Sequence, residues 1–470
     1  MLFNSFEFIW LFPIVFIVCC VSRRTKWSNA CLLLISYGLY CKWKPVYGLI
    51  LFWVTVVTYF VALFFEKHSK HNRNKLAFGC GVILTLAPLA LFKYYNFCNE
   101  QLSSLFLSVG IITGLPGLNW ALPLGISFYT FQAVGYLSDV YHKRVEAERN
   151  WWNYMLFVSF FPQIVSGPIS RAKDLLPQIK SERKFNYSQA VQGLKWLLWG
   201  MFLKVVMADR VGIYVDTVFN NYEYQTGLSC WLGSILYSFQ IYGDFAGYSY
   251  MAIGVGQLLG FELTNNFRRP YLSQSVTDFW HRWHISLSTW LRDYVYIPLG
   301  GSRCGKLRNY WNVFLTFLVS GVWHGANWTF IIWGMIHGLF QIVEKIFGWN
   351  KAKSNGWRKV VRVMLTFIIV NLAWVFFRMP TLIQACDVIN KMFSNHQVAL
   401  ATITPAMMLF IVFSVGIVVF KDMSDELLPL RYTLFHHQYK LVRWITYVVL
   451  MCMILTCGVF DNSQFIYANF

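Results

Sequence analysis

The 470-residue chain has little charge for its length. Only 13% of its residues are charged, whereas 57% are apolar. Uncharged stretches long enough to cross a lipid bilayer recur along it, which is the composition of an integral membrane protein. A soluble chain of this length would form two or three domains, but here we expect the bilayer to organise one large helical bundle.

Paired cysteines and acidic residues are also scarce. The eleven cysteines form no C-x-x-C pair, so neither a disulfide framework nor a zinc knuckle is indicated. Asp and Glu number 21 against 40 Lys and Arg, which gives a net charge of +19. The basic residues lie mostly in short connections between apolar stretches, as in the cytoplasmic loops of membrane proteins. We therefore expect no nucleic-acid partner.

Sequence motifs of soluble catalysts are missing. The chain contains no G-x-S-x-G elbow, no Walker A loop and no His-x4-Asp motif. These absences weigh against a hydrolase and against a soluble glycerolipid acyltransferase. The two halves of the chain show no internal repeat, which disfavours an inverted-repeat transporter.

Apolar stretches are what the chain has in abundance. They lie near 6–22, 28–42, 46–65, 76–97, 120–137, 151–166, 190–219, 229–262, 309–343, 358–377, 402–420 and 442–460. We predict an all-α, polytopic membrane protein with about ten to twelve transmembrane helices. Three parts are expected within one membrane domain, 1–470: N-terminal spans at 1–100, a core at 120–378 and C-terminal spans at 400–470.

The connections predict an orientation. Basic residues cluster in the first and third connections, at Arg23, Arg24, Lys26, Lys67, Lys70, Arg73 and Lys75. Basic connections face the cytoplasm, so we expect the N-terminus on the outer side of the membrane. Glu7 and the lack of a basic leader indicate a retained first span, not a signal peptide. The polar connections 167–187 and 421–440 are predicted to be cytoplasmic and partly amphipathic.

Several apolar stretches carry residues that disfavour a simple span. Examples are Pro162, Lys204 and Asp244. Irregular or charged segments at membrane depth are tolerated only where protein or water surrounds them. These stretches therefore predict re-entrant helices that line a cavity.

A histidine lies near the middle of one long uncharged stretch. The 35 residues from Asn309 to Val343 contain no Asp, Glu, Lys or Arg, and His324 lies near their middle. Titratable residues at membrane depth are costly unless they are paired or functional. His324 is therefore either a base that deprotonates a hydroxyl during acyl transfer or a histidine that hydrogen-bonds a neighbouring helix. Gly321 and Gly325 would let substrate approach the backbone, and Asn327 could bind a substrate oxygen.

The segment 275–301 combines aromatic and polar residues. Ser275 and Asp278 resemble a capping box, and Pro298 with two glycines supplies a stop. As one helix it would place five apolar residues on one face, namely Phe279, Trp283, Leu287, Trp290 and Tyr294. We expect it to lie at a membrane interface, anchored by its tryptophans, either as an amphipathic support or beside a cavity.

A zinc site is a further option. His281, His284 and His324 could supply ligands, but the first two are spaced i,i+3 instead of i,i+4 and no H-E-x-x-H motif is present. We predict no metal.

Seven segments together resemble the membrane-bound O-acyltransferase family, in particular its bacterial branch that O-acetylates exported polysaccharides such as alginate. They are FPQIVSGPISR (161–171), DFAGYSYMAIGVGQLLGF (244–261), NNFRRPYLSQSVTDFW (265–280), WHISLSTWLRDYVYIPLGG (283–301), SGVWHGANW (320–328), NLAWVFFR (371–378) and FIYANF (465–470). The pair W-H-I-S…R-D-Y and W-H-G-A-N-W is the most specific. One position departs from the pattern, because Tyr250 stands where the family usually has an acid.

The resemblance implies a helical ring with a central funnel and tunnel. It implies that His324 is catalytic and that His284 is the second family histidine. Tunnel-shaping residues would be Trp283, Arg292, Asp293, Trp323 and Asn327. The implied donor is a cytoplasmic thioester such as acetyl-CoA or an acyl carrier, with no resident cofactor, and the implied partners are membrane lipid, an exported polysaccharide and a separate periplasmic or extracellular acyltransferase. His337 matches none of these segments, and we interpret it as a packing histidine.

Other functions remain open from the sequence. The acceptor could be teichoic acid receiving D-alanine, peptidoglycan receiving acetyl, or a lysophospholipid. A transporter or flippase would use His324 and Asp244 in a proton or substrate path. A scaffold that anchors an export complex would need no chemistry.

Overall fold

A computed structural model describes residues 3–21, 25–68, 71–111, 116–164, 166–350, 354–401, 403–460 and 466. Every regular element within these ranges is helical, which confirms the predicted all-α class. The chain forms two compact units, one of Met1–Val191 with Val255–Thr264 and Ala468–Phe470, the other of Gln192–Gly254 with Asn265–Tyr467. Arg23, Arg24, Lys70 and most of the FIYANF segment lie outside the described residues.

The first unit is built from eight helices in its described residues. They are Phe6–Val21, Thr25–Trp43, Pro45–Lys67, His71–Ser108, Ile126–Tyr141, Trp151–Ser159, Phe161–Ile164 and Ala172–Lys180. Its core includes polar side chains that satisfy one another, as buried groups must. Gln163 Nε2 donates to Gln132 Oε1 at 3.0 Å, and Ser170 Oγ donates to Gln163 Oε1 at 2.6 Å. The irregular backbone after Pro162 is thus surrounded by protein, as the sequence required.

The second unit contains, wholly or in part, eleven α-helices among its described residues. The α-helices are Tyr187–Met201, Asp209–Phe219, Gly227–Leu258, Val276–Arg282, Ile285–Leu291, Lys306–His324, Trp328–Ile346, Gly356–Arg378, Leu382–Ser394, Pro405–Leu427 and Lys440–Cys457. Phe202–Ala208 and Arg292–Tyr296 are π-helical, and Tyr222–Tyr224, Pro270–Leu272 and Leu430–Tyr432 are 3₁₀ turns.

Five described helices are long and apolar enough to cross a membrane. They are Pro45–Lys67, Asn72–Ser108, Gly356–Arg378, Pro405–Leu427 and Lys440–Cys457, and Glu7–Cys20 is a shorter apolar helix. They make the protein a multi-pass membrane protein. The total of ten to twelve crossings stays a prediction, because other apolar stretches are divided into shorter or more buried helices.

The segment 275–301 is not the single helix that its periodicity predicted. Val276–Arg282 ends at Trp283, and a second helix, Ile285–Leu291, starts after His284. We call 276–296 the broken segment. The predicted N-terminal cap is correct, since Ser275 Oγ accepts from the Asp278 N–H at 3.0 Å. Its tryptophans do not anchor it at an interface, because they are buried within the protein: Trp280, Trp283 and Trp290 are 4%, 0% and 6% exposed.

A cluster of charged side chains is buried in the second unit. Lys204 lies in the π-helix, and its Nζ contacts Asp209 Oδ1 at 2.7 Å and Asp244 Oδ1 at 2.6 Å. All three side chains are at most 2% exposed. The Ile466 N–H donates to Asp244 Oδ2 at 2.9 Å, which ties the end of the chain to the same cluster. Asp244 therefore serves as an ion-pair partner in this unit.

We predict that Lys204→Met lowers the free energy of unfolding by about 3–5 kcal/mol, because it leaves two buried carboxylates without their cation. Chemical denaturation of the detergent-purified protein measures the change. The triple variant Lys204→Met, Asp209→Asn, Asp244→Asn removes all three charges and should recover most of the loss. A single variant as stable as the wild type would contradict the prediction.

Candidate active site

Two helices that follow one another position His324. We call Lys306–His324 and Trp328–Ile346 the histidine hairpin, since the long uncharged stretch folds back at Gly325. A Cβ on Gly321 would lie 2.5 Å from the Phe330 carbonyl oxygen, and one on Gly325 would lie 2.2 Å from the Phe330 ring. These glycines therefore permit the close approach of the two helices. We had expected them to let substrate approach the backbone, but Phe330 occupies the space beside them.

The hydrogen bond of His324 fixes its proton. The side chain is at the last residue of its helix and is 2% exposed. Its Nδ1 lies 2.7 Å from the Ser320 carbonyl oxygen. A carbonyl oxygen can only accept, so Nδ1 carries the hydrogen and the neutral ring has its lone pair on Nε2. This tautomer presents Nε2 as the basic atom.

Aromatic rings surround the His324 imidazole. The ring centroids of Trp333, Trp323 and Phe377 lie 4.7, 4.8 and 5.5 Å from it. Such a wall excludes bulk water and disfavours a charged ring in the resting state. It therefore suits a base that starts neutral.

His284 lies at the break in the broken segment. Its backbone has a φ of 44° and a ψ of 53°, the left-handed conformation that non-glycine residues adopt only at a cost. Asn266 stabilises this geometry. Its Oδ1 accepts from the Ser286 N–H at 3.0 Å and from the Ser286 hydroxyl at 2.9 Å, and it lies 3.3 Å from His284 Nδ1. Strained residues held in place by their surroundings are frequent at functional sites.

The two family histidines have the same tautomer and share a neighbour. Because Asn266 Oδ1 accepts, His284 Nδ1 is also the protonated nitrogen. The Trp323 ring lies 5.9 Å from the His284 ring and 4.8 Å from the His324 ring. His284 is outside the five candidate spans, and burial, followed by the nearby His324, lowers its pKa well below the ordinary value. The neutral form of the His284 ring is therefore favoured.

His337 lies close to the same group, which the sequence did not indicate. It is 0% exposed, and neither ring nitrogen has a hydrogen-bond partner among the described residues. Trp333 lies 5.0 Å from it and also contacts His324. Buried polar atoms without partners are rare in native proteins and usually mark a functional or hydrated place. Chain position alone could not reveal this, because the spacing of His337 matches an ordinary apolar helix face.

The structure distributes the other predicted site residues unevenly. Trp283 and Trp323 are buried beside the histidines, at 0% and 4% exposure. Arg292 is 59% exposed, and its Nε lies 2.8 Å from Oδ1 of its neighbour Asp293. Asn327 caps the second helix of the histidine hairpin, accepting from the Thr329 N–H, and donates to the Pro380 carbonyl oxygen at 2.7 Å.

Metal ligands are not grouped in the part of the chain that the structure describes. No three His, Cys, Asp or Glu side chains there lie close enough to hold an ion. His281 is exposed, whereas His284 is fully buried, so they do not face one site.

Residues 53–380 match the MBOAT, membrane-bound O-acyltransferase, family. Among curated proteins, the chain is 40% identical over 401 residues to the probable alginate O-acetylase of Pseudomonas syringae, covering 84% of this chain and 75% of that protein. It is 35% identical to the peptidoglycan O-acetyltransferase of Helicobacter pylori, covering 85% of this chain and 81% of that protein. It is 29% identical to the teichoic acid D-alanyltransferase of Bacillus subtilis, covering 63% and 77%.

The family match includes the broken segment and the first helix of the histidine hairpin, where His284 and His324 lie. The chain is an acyltransferase and belongs to the membrane-bound O-acyltransferase family.

Proposed function

We propose that this enzyme transfers an acetyl group from a cytoplasmic thioester across the membrane for O-acetylation of an exported polysaccharide. The observation that carries the proposal is the buried His324 ring with its lone pair on Nε2, in a chain 40% identical to a probable alginate O-acetylase. His324 acts as the general base.

The chemical step balances with one base. His324 Nε2 takes the proton from the acceptor hydroxyl while that oxygen attacks the thioester carbonyl carbon. The carbon–sulfur bond then breaks, and the protonated imidazole returns its proton to the leaving thiolate. Ester and thiol are the products, and the ring is neutral again. The Nδ1 bond to the Ser320 carbonyl stabilises the transient imidazolium, because both ring nitrogens then carry hydrogens and Nδ1 remains a donor.

The other residues would shape the path to this base. His284 orients substrate or assists proton movement, with its ring held by Asn266. Trp283 and Trp323 would line the tunnel from within the protein. Arg292, Asp293 and Asn327 are proposed at its outer parts, since Arg292 is exposed and Asn327 is partly exposed.

The cellular setting follows from the same proposal. The chain forms one membrane domain in a bacterial cytoplasmic membrane with its N-terminus outside. The donor is acetyl-CoA or an acyl carrier thioester that acts as substrate, and no resident cofactor or metal takes part. A separate periplasmic or extracellular acyltransferase would complete the transfer to the polysaccharide. The nearest alternative acceptor is peptidoglycan, favoured by the 35% identity to a peptidoglycan O-acetyltransferase.

We predict that His324→Ala and His324→Gln lower acetyl incorporation at least about 100-fold, the usual contribution of a general base. Acetate released from purified exported polysaccharide measures the change. His281→Ala, which removes an exposed histidine from the broken segment, is the matched control and should retain activity. Wild-type acetylation in a membrane-inserted His324→Ala protein would refute the role of His324.

Asn266→Ala is predicted to lower kcat about tenfold with little change in KM, because it removes the acceptor for His284 and Ser286. Asn266→Asp keeps an acceptor oxygen and should restore part of the activity. A purely structural role would instead show as reduced protein in the membrane for both variants. Equal kcat for Asn266→Ala and the wild type would contradict the positioning role.

The proposed orientation can be measured separately. Cytoplasmic reporters fused after Lys26 or Lys67 should be active, whereas a periplasmic reporter at those positions should not, because basic connections face the cytoplasm. A fusion after Lys44 is the control and should give the opposite pattern. The reverse result at Lys26 and Lys67 would place the N-terminus inside.

A further inference from the structure

A cavity at the end of a candidate span is lined mainly by aromatic and basic side chains. It lies within the second unit and has a volume of about 60 Å³. Six of its lining side chains are aromatic or basic: Lys195, Trp196, Trp199, Lys421, Phe435 and His436. We call it the basic pocket. Its volume would hold a phosphate-sized group between the cations and the rings.

The position of the basic pocket is at the membrane surface. Lys421 and Asp425 lie in the last turns of the candidate span Pro405–Leu427. Phe435 and His436 lie in the connection that leads to the next candidate span, Lys440–Cys457. A short connection between two spans lies at the level of the lipid head groups.

The lining of the basic pocket carries two lysines and one acidic residue, Asp425, and Asp422 and Glu426 lie beside it in the chain. The Lys421 ammonium pairs with Asp425 at 2.5 Å, so that this lysine is partly neutralised, whereas Lys195 adds a further cation. Residues 428–443 hold Arg431, Lys440 and Arg443 and no acidic residue. Burial and the nearby Lys195 lower the pKa of His436. The pocket therefore favours an anion.

Aromatic rings build the walls of the basic pocket. The Lys421 Nζ lies 4.9 Å from the Trp199 ring centroid and 5.8 Å from that of Phe435. These cation–π contacts hold the ammonium group in place. His436 Nε2 lies 3.3 Å from Gln192 Oε1, which orients the imidazole in the lining. The charged groups are thus positioned before any ligand arrives.

Exposed apolar side chains flank the lining residues along the chain. Leu194 precedes Lys195 and is 54% exposed, and Leu427 and Leu428 follow Asp425 at 61% and 47% exposure. Trp444 in the next candidate span is 65% exposed. A polar, basic centre with apolar flanks matches a molecule that carries an anionic head and hydrocarbon tails. A water-soluble phosphate ester would have no use for the flanks.

We propose that the basic pocket binds the phosphate of an anionic membrane phospholipid, with Lys195 and Lys421 as its cations. Basic pockets between transmembrane helices commonly recognise anionic lipid head groups. Trp196 lines the pocket and stacks on Tyr250 at 4.9 Å, and Tyr250 donates to the Phe267 carbonyl oxygen at 3.3 Å. Phe267 follows Asn266, so the bound lipid would support the wall behind His284.

Native mass spectrometry of the purified full chain tests the proposal. The protein is titrated with phosphatidylglycerol or phosphatidylcholine carrying the same acyl chains. Wild-type protein should retain phosphatidylglycerol in preference to phosphatidylcholine. Each lysine replaced, in Lys195→Ala and in Lys195→Ala/Lys421→Ala, should weaken phosphatidylglycerol binding about fivefold. Equal retention of the two lipids by the wild type would overturn the proposal.

Two further variants separate the pocket from charge in general. Arg431→Ala/Lys440→Ala removes the same charge from exposed positions outside the lining and should change binding less than about twofold. Lys195→Glu leaves the ion pair of Lys421 and Asp425 intact and should abolish the preference for phosphatidylglycerol. A loss in the control pair equal to that in the lysine pair would overturn the proposal. So would displacement of phosphatidylglycerol by millimolar coenzyme A, which would assign the pocket to the soluble donor.

Discussion

The proposed role of His324 as a base depends on one hydrogen bond, from His324 Nδ1 to the Ser320 carbonyl oxygen. It joins residues one helical turn apart, so the helix itself dictates which ring nitrogen carries the proton. The helix ends at His324, and the chain then turns at Gly325 to form the histidine hairpin. The close packing of Gly321 and Gly325 on Phe330 makes that turn possible. The direction of the basic Nε2 lone pair thus follows from glycine placement in the sequence.

At His284 a hydrogen bond also places the proton on Nδ1, but its acceptor is a side chain. There the proton is placed by Asn266, and the ring is aimed by a left-handed residue between two short helices. Trp323 contacts both imidazoles, so a shift in one histidine would be transmitted to the other through packed rings. Both histidines are buried, and the hydrogen bonds described above orient each ring through a carbonyl or amide oxygen. This differs from the buried Lys204 cluster, where opposite charges compensate each other at a distance of 2.6–2.7 Å.

The sequence predicted the fold class and the position of His324 because both depend on patterns that are local. Long apolar stretches produce helices whatever their neighbours, and a histidine in the middle of a long uncharged stretch is conspicuous. Periodicity failed at the broken segment, because apolar residues continue at helical spacing through Trp283 and His284. The break requires Asn266, which lies 18 residues earlier in the chain and accepts hydrogen bonds that a continuous helix would not need. The interpretation of His337 as a packing residue stays a prediction, and its buried, unmatched nitrogens become visible only when neighbouring helices are in place.

A structure of the enzyme with a non-reactive acetyl thioester analogue bound would show whether the thioester reaches His324. An acceptor oxygen within about 3 Å of the base and about 3–3.5 Å of the carbonyl carbon requires that carbon to lie within roughly 6 Å of His324 Nε2. If His324 is the base, we expect the carbonyl carbon of the analogue to lie within that distance of His324 Nε2. An analogue that is bound and ordered elsewhere, with the His324 ring still closed in by Trp323, Trp333 and Phe377, would contradict it.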